Sequence, residues 1–167
     1  MCSSDLNLRL RDKTWLEGME KHLARCVLGD AFDEAVPPMF LPYKLRGMDL
    51  SNRVVVSPMS MYSSVDGMPS DWHLVHYGSL AKGGAGLVYT EMTDVSPEGR
   101  ITPGCAGLWN DEQAAAWQRV VEFVHTHTQA RIAMQLGHAG AKGATLEPWK
   151  WDPKILDEPL PKDQQWP

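Results

Sequence analysis

The sequence predicts an α/β fold in which buried parallel strands alternate with helices, and three observations support this prediction. Apolar runs at 53–59, 86–91 and 131–136 contain consecutive apolar residues, which is typical of strands covered on both faces. Segments 72–82 and 111–127, between these runs, have the length and pattern of helices. The apolar runs begin roughly 30 to 45 residues apart, which suits strand–helix–strand units.

Capping residues mark the start of each predicted helix. Ser70 or Asp71 can cap the first helix, and Gly83 is placed to end it. Asn110 can cap the second helix by accepting a hydrogen bond from a free backbone N–H group. The residues expected on the inward face of the second helix are Ala115, Val120, Val121 and Val124.

Residues 1–36 are predicted to form a linker with one amphipathic helix, separate from a domain at 37–167. Thr14 and Glu17 have the spacing of a capping box, in which a hydroxyl and a carboxylate satisfy the first backbone donors. The prolines that follow break this segment from the rest of the chain. A short hairpin that turns at Gly47 then leads into the first strand.

Composition excludes several classes of protein. The chain has 167 residues, 43% apolar and 22% charged, which is ordinary for one globular domain. Its formal net charge of -5 argues against a nucleic-acid partner, which requires a basic surface. No apolar stretch approaches the ~18 residues of a membrane span, and no leader is recognised. The three cysteines fit neither a disulfide framework nor a zinc site, so we expect a cytoplasmic protein with no metal and no membrane partner.

Two architectures accommodate alternating strands and helices, an open doubly wound sheet and a closed barrel. No Gly-x-Gly-x-x-Gly sequence follows any of the strands, which argues against a dinucleotide fold. A barrel carries its chemistry on the loops after the strands, and unusual residues occur there at 57–62, 91–93 and 135–140. Because a barrel needs ~250 residues, three strand–helix units predict only part of one.

Five sequence blocks, in the same order along the chain, strongly resemble the Old Yellow Enzyme family of FMN-dependent ene-reductases. The blocks are Asn52–Met59, Asp71–Gly78, Gly83–Val88, Ser96–Ile101 and Gln135–Gly140. The resemblance covers about 37–150 and implies an incomplete FMN-binding TIM (β/α)8 barrel at 37–167, with its first three strands and part of the next loop. It also implies transfer of hydride from NADH or NADPH through FMN to an activated alkene. The expected small-molecule substrate is an activated alkene or an enoyl or aryl thioester.

The resemblance assigns several cofactor contacts. Ser57, Pro58 and Met59 match the segment whose backbone lies along the flavin ring. Ser60 stands where the family usually has Thr or Cys beside flavin O4 and N5, and it retains a hydrogen-bonding hydroxyl. Met92 matches a position where small residues often let the backbone approach the ring, so its bulk departs from the family pattern.

Two further residues are assigned to the edge of the ring and to the substrate. Gln135 matches the amide that pairs with the pyrimidine edge of the flavin, because an amide both donates and accepts. Its place on an apolar strand predicts a buried side chain with a designated partner. Tyr62 matches a tyrosine of the substrate pocket in one subgroup. The family's catalytic residues are expected downstream of Pro167, so we expect the chain to be inactive alone.

The lead-in at 7–12 resembles the junction of fused salicylyl-CoA 5-hydroxylase/oxidoreductase proteins, which implies an upstream flavin monooxygenase module as a partner. Two other functions stay open. One is a metal-dependent barrel hydrolase built on His73, His76 and Glu91. The other is a non-catalytic fragment whose Trp- and Pro-rich tail docks on a partner. Cys105, in a Gly- and Pro-rich loop, is expected to be exposed.

Overall fold

The structure is a computed structural model that describes residues 12–150. Its helices are α1 (Lys13–Leu28), α2 (Asp71–Lys82) and α3 (Asp111–His127). Its strands are β1 (Tyr43–Leu45), β2 (Met48–Leu50), β3 (Val55–Val56), β4 (Leu87–Asp94), β5 (Ala106–Gly107) and β6 (Arg131–Gly137). The chain divides into two compact units between Val54 and Val55. The domain boundary after residue 36, which separates the helix from the family segment, stays a prediction.

The first unit contains α1 and the hairpin of β1 and β2. The Asp12 carboxylate caps α1 by accepting the N–H groups of Thr14 and Trp15 at 2.9 and 3.1 Å. The predicted capping box on Thr14 and Glu17 is therefore wrong, because Asp12 is the capping residue and Thr14 already lies inside α1. β1 and β2 pair antiparallel, and Arg46, at φ 53°, makes the tight turn before Gly47.

The second unit is built around β4, which pairs parallel with β3, β5 and β6. β3 pairs with the start of β4 and β5 with its end, on the edge opposite β6. The strand β5 was not predicted from the sequence. It is two residues long, Ala106 and Gly107, and neither residue favours a strand by itself.

The helices α2 and α3 pack against each other and against the sheet. Both begin as predicted, with Ser70 and Asn110 as the capping residues. The buried residues of α3 are Gln113, Trp117, Val120 and Val124, so the inward position predicted for Ala115 is wrong. None of the three helices described has the length and apolar content that a bilayer crossing needs. The cytoplasmic location stays a prediction.

Only the central strand has the burial that the sequence predicts for all three. Leu87 and Val88 of β4 are buried, whereas Val55 of β3 is 47% exposed. β6 is exposed or half-buried along its whole length. Within residues 12–150, β3 and β6 each pair along one edge, with β4. A run of apolar residues shows that a strand can be covered on both faces, but the cover itself comes from distant parts of a chain.

Candidate functional site

The sequence-predicted contact residues lie at the carboxyl ends of three neighbouring parallel strands. Segment 57–60, with Ser57, Pro58, Met59 and Ser60, follows β3 directly. Met92 of β4 and Gln135 of β6 stand opposite each other in the parallel register. The structure therefore brings Met92 beside Gln135, and it places segment 57–60 after the strand on the other edge of β4.

The accessibility of the side chains at this edge of the sheet differs from the prediction for Gln135. Its side chain was predicted to be buried, but Gln135 is exposed. β6 is exposed or half-buried along its whole length and pairs only with β4 in the described part of the chain, so no side chains of a further strand pack beside Gln135. Ser60 is also exposed, and Met59 is 53% exposed. These side chains are thus open to a ligand that lies across the strand ends.

A β-bulge sets the positions of the residues at the end of β4. Two residues of β4, Thr90 and Glu91, stand opposite the single residue Met134 of β6. Bulges of this kind redirect side chains and are frequent beside functional sites. After the bulge, the Met92 side chain lies over Gly137, where an added Cβ would be 2.6 Å from Met92 Cγ. A side chain at 137 would therefore force the Met92 side chain to move.

Behind the strand ends lies a buried polar network centred on Glu91. One carboxylate oxygen, Oε2, accepts the backbone N–H of Met61 at 2.9 Å, and the other, Oε1, lies 3.1 Å from His73 Nε2. The Glu91 N–H donates to the Tyr77 hydroxyl at 2.7 Å. Sequence reasoning favoured a structural or capping role for His73, considered His73 and Glu91 as ligands of an alternative metal site, and did not predict a contact between them. The signal for this network was a carboxylate in an apolar strand, since a buried charge requires partners.

The arrangement does not support the metal-dependent alternative. His73 Nδ1 accepts the backbone N–H of Ser70 at 3.0 Å, so this nitrogen is not available to a metal. His76 packs its ring against Tyr77, with centroids 5.1 Å apart. Between residues 12 and 150, no three His, Cys, Asp or Glu side chains form a candidate metal group.

Tyr62 and Cys105 form a second part of the region. Tyr62 has a positive φ of 51°, and its ring lies edge-on to Trp149 with centroids 6.2 Å apart. Burial raises the pKa of the Tyr62 hydroxyl. Cys105 is 1% exposed, so the prediction of an exposed thiol is wrong. The Thr102 N–H points at its sulfur at 3.4 Å, and burial raises the pKa of the thiol.

Asp94, the last residue of β4, is a buried carboxyl group. Within the described residues, neither of its side-chain oxygens has a hydrogen-bond partner. Burial raises its pKa from an ordinary 3.8 to about 7, although Arg100 acts in the opposite direction. The folded chain therefore binds this proton more tightly than the unfolded chain does.

We expect Asp94→Asn to stabilise the chain above neutral pH. The stability that the protonated carboxyl contributes is complete below its unfolded pKa and is lost as pH rises through about 7. The amide of asparagine does not titrate in this range. The free energy of unfolding of the Asp94→Asn variant should therefore exceed that of the unmodified chain by on the order of 2 kcal/mol at pH 8. Urea unfolding at pH 5 and pH 8 measures this. Parallel pH profiles for the two chains would contradict it.

Comparison with known proteins agrees with this geometry. Residues 38–154 match the family model described as the NADH:flavin oxidoreductase / NADH oxidase family. An NADH:flavin oxidoreductase of Gibberella zeae is 41% identical over 111 residues, covering 66% of this chain and 27% of that protein. An NADPH dehydrogenase of Listeria monocytogenes is 49% identical over 106 residues, covering 62% of this chain and 31% of the relative. The chain thus spans less than a third of the length of these relatives.

Solved structures show the same fold over the same region. Morphinone reductase in complex with tetrahydroNAD matches with a TM-score of 0.60 and 37% identity, over 65% of this chain and 29% of that one. Old Yellow Enzyme from Pichia sp. matches with a TM-score of 0.61 and 30% identity, over 64% and 28% of the two chains. The prediction of a partial α/β barrel is confirmed, as is the resemblance on which the flavin and NAD(P)H cofactors were predicted. On the family match and these structural similarities, the chain belongs to the NADH:flavin oxidoreductase / NADH oxidase family.

Proposed function

We propose that this chain supplies ring contacts for FMN in an oxidoreductase that moves hydride from NADH or NADPH, through the flavin, to an activated alkene. One observation carries the proposal: Met92 and Gln135 are register partners at the strand ends, and segment 57–60 follows the strand on the other edge of β4. The names of the relatives, an NADH:flavin oxidoreductase and NADPH dehydrogenases, support the same reaction class.

The residues at the strand ends fit the ring portion of the cofactor. The pyrimidine edge of a flavin alternates hydrogen-bond donors and acceptors, and the exposed amide of Gln135 both donates and accepts. The Ser60 hydroxyl offers a further donor, and Met59 and Met92 offer apolar side chains to a flat ring. FMN, when bound, supplies the hydride chemistry, while these residues bind the ring and orient it. Tyr62 is proposed to contact the substrate.

The described residues offer less to the phosphate of FMN. The loop before α2 has a single glycine, Gly67, and two glycines before α3 pack against the chain itself, Gly104 against Tyr62 and Gly107 against Trp109. The start of neither helix therefore has the open glycine-rich loop that usually cradles a phosphate. We therefore propose that the isolated chain binds the cofactor through its ring and holds it weakly. This weak binding is also why we propose that the chain has little activity alone.

Titration of the chain with riboflavin and with FMN tests the proposal. A ring of about 18 non-hydrogen atoms, at roughly 0.3 kcal/mol each, corresponds to a Kd of about 0.1 mM. Because the phosphate has no partner in the proposal, both ligands should bind with similar Kd, measured by quenching of flavin fluorescence. Gln135→Leu should weaken both about tenfold. The matched control is Gln118→Leu, on an exposed helix face, which should have no effect.

Three results would contradict the proposal. Stoichiometric FMN retained through gel filtration would disprove weak binding. A Kd for FMN more than tenfold below that for riboflavin would reveal a phosphate site. Equal binding by the Gln135→Leu variant and the unmodified chain would show that the ring contact does not depend on Gln135.

A second candidate function, association with another polypeptide, has one observation in its favour. Apolar residues stand exposed on the sheet and the loop after it, with Val55 at 47%, Met59 at 53% and Leu136 at 58% exposure. Exposed apolar surface of this kind occurs at protein interfaces. The Trp- and Pro-rich tail beyond residue 150 and the lead-in at 7–11 lie outside the described residues. The monooxygenase module that the lead-in implied stays a prediction.

A further inference from the structure

We propose that Glu91 is a positioning residue, whose buried carboxylate, oriented by His73, holds the loop after β3 against the end of β4. The loop is the segment at 57–62, which includes the flavin contacts proposed above, so its functional meaning rests on the proposed function. The tether itself is a property of the chain without any ligand.

The first step of the argument is the contact between Glu91 and Met61. Glu91 Oε2 accepts the Met61 backbone N–H at 2.9 Å, across 30 residues of sequence. Glu91 is 0% exposed, so water does not compete for this carboxylate. A hydrogen bond to a carboxylate is about twice as strong as a neutral one, and a low local dielectric strengthens it further. Met61 follows Ser60, so the bond fixes the backbone one residue away from a proposed ring contact.

The second step is the orientation of His73, which is also 0% exposed. Its Nδ1 accepts the Ser70 N–H at 3.0 Å, so that nitrogen carries no proton and the ring proton lies on Nε2. Nε2 is 3.1 Å from Glu91 Oε1 and 3.2 Å from Ser64 Oγ. The aligned hydrogen-bond partner of Nε2 is Ser64 Oγ, and Glu91 Oε1 lies beside the same ring edge without an aligned hydrogen bond in the described part of the chain. The helix cap at Ser70 thus selects the tautomer that turns the positive edge of the ring toward the carboxylate.

The third step is that side chains of α2 and α3 also restrict the position of Glu91. The Tyr77 hydroxyl accepts the Glu91 N–H at 2.7 Å. Trp117 of α3 packs on two rings of α2: its ring centroid is 5.8 Å from that of His73 and 5.9 Å from that of Tyr77. A buried charge in such a place is costly unless it is paired. The cost is offset here by the hydrogen bond from the Met61 N–H to Glu91 Oε2.

The position of Glu91 in the chain links the two halves of the proposed ring site. It precedes Met92 in β4, and its side chain holds Met61 beside Ser60. A shift of this one residue therefore moves the contact on β4 and the contact on the loop together. Such coupling keeps two groups from different strands at a fixed separation, as binding of a rigid ring requires.

The variant Glu91→Gln tests the tether, and Asp94→Asn is its matched control. In either orientation of the glutamine, its NH2 group faces a second donor, at Met61 or at His73. We expect the amide of Met61 to exchange its hydrogen about tenfold faster in Glu91→Gln, as measured by NMR. Asp94 is a buried carboxyl group on the same strand without this contact, so its variant should leave Met61 exchange unchanged below neutral pH, where the substitution is not expected to alter stability. Equal exchange in Glu91→Gln and the unmodified chain would overturn the proposal, as would equal acceleration in both variants.

A second measurement does not depend on the folding of a variant. Long-range proton–nitrogen NMR of the unmodified chain should show His73 with its proton on Nε2, and a proton on Nδ1 would overturn the proposal. Neither measurement contains flavin. Slow Met61 exchange without riboflavin binding would therefore reject the proposed function and support the tether. Riboflavin binding with unprotected Met61 would do the reverse.

Discussion

Trp117→Ala is expected to lower the free energy of unfolding by about 4 kcal/mol, because a large buried side chain leaves a cavity. Trp117 is 2% exposed and lies in α3 against the rings of His73 and Tyr77. Its indole N–H also donates to the carbonyl of Gly107 at 3.1 Å, and that carbonyl would lose this donor. Urea unfolding followed by far-UV circular dichroism measures the loss.

The matched control for this variant is Trp72→Ala. Trp72 lies in α2 with 62% of its surface exposed, and its removal should change the free energy by no more than about 0.5 kcal/mol. Similar losses for both tryptophans would show that the packing of α3 on α2 does not depend on the buried ring. A loss below about 1 kcal/mol for Trp117→Ala would lead to the same conclusion.

Gly104→Ala should lower the free energy of unfolding by about 3 kcal/mol, at the upper end of the usual cost of overpacking. A Cβ at Gly104 would lie 2.5 Å from the carbonyl oxygen of Tyr62 and 2.8 Å from its carbonyl carbon. Both atoms belong to the backbone, so no flexible side chain can move aside. The Gly104 carbonyl also accepts the Ser64 N–H at 3.0 Å, and any shift of the loop weakens this bond.

Gly47→Ala provides the comparison for this substitution. A Cβ at Gly47 meets nothing within 4 Å, so alanine there should change the free energy of unfolding by about 0.5 kcal/mol or less. Equal urea midpoints for the two variants would show that the loop around Tyr62 yields to the added methyl group. In that case the position proposed for Tyr62 in a substrate pocket would not be set by Gly104.

Local features of this fold could be predicted from the sequence because their causes are local. Ser70 and Asn110 cap α2 and α3 as predicted, since a cap depends on a side chain and the next three residues. The turn at Gly47 and the central strand β4 were also predicted. The capping box at Thr14 was wrong because Asp12, a competing cap, lies two residues earlier. Distinguishing competing caps requires geometry.

The sequence by itself determined the alternation of strands and helices, the family, and which residues follow each strand. Only the tertiary structure decided the rest: the bulge that sets Met92 opposite Gln135, the exposure of Gln135, and the contact of Glu91 with Met61. The physical reason is distance along the chain. Periodicity and caps report forces between residues a few positions apart, whereas burial and the pairing of a buried charge depend on groups that only folding brings together.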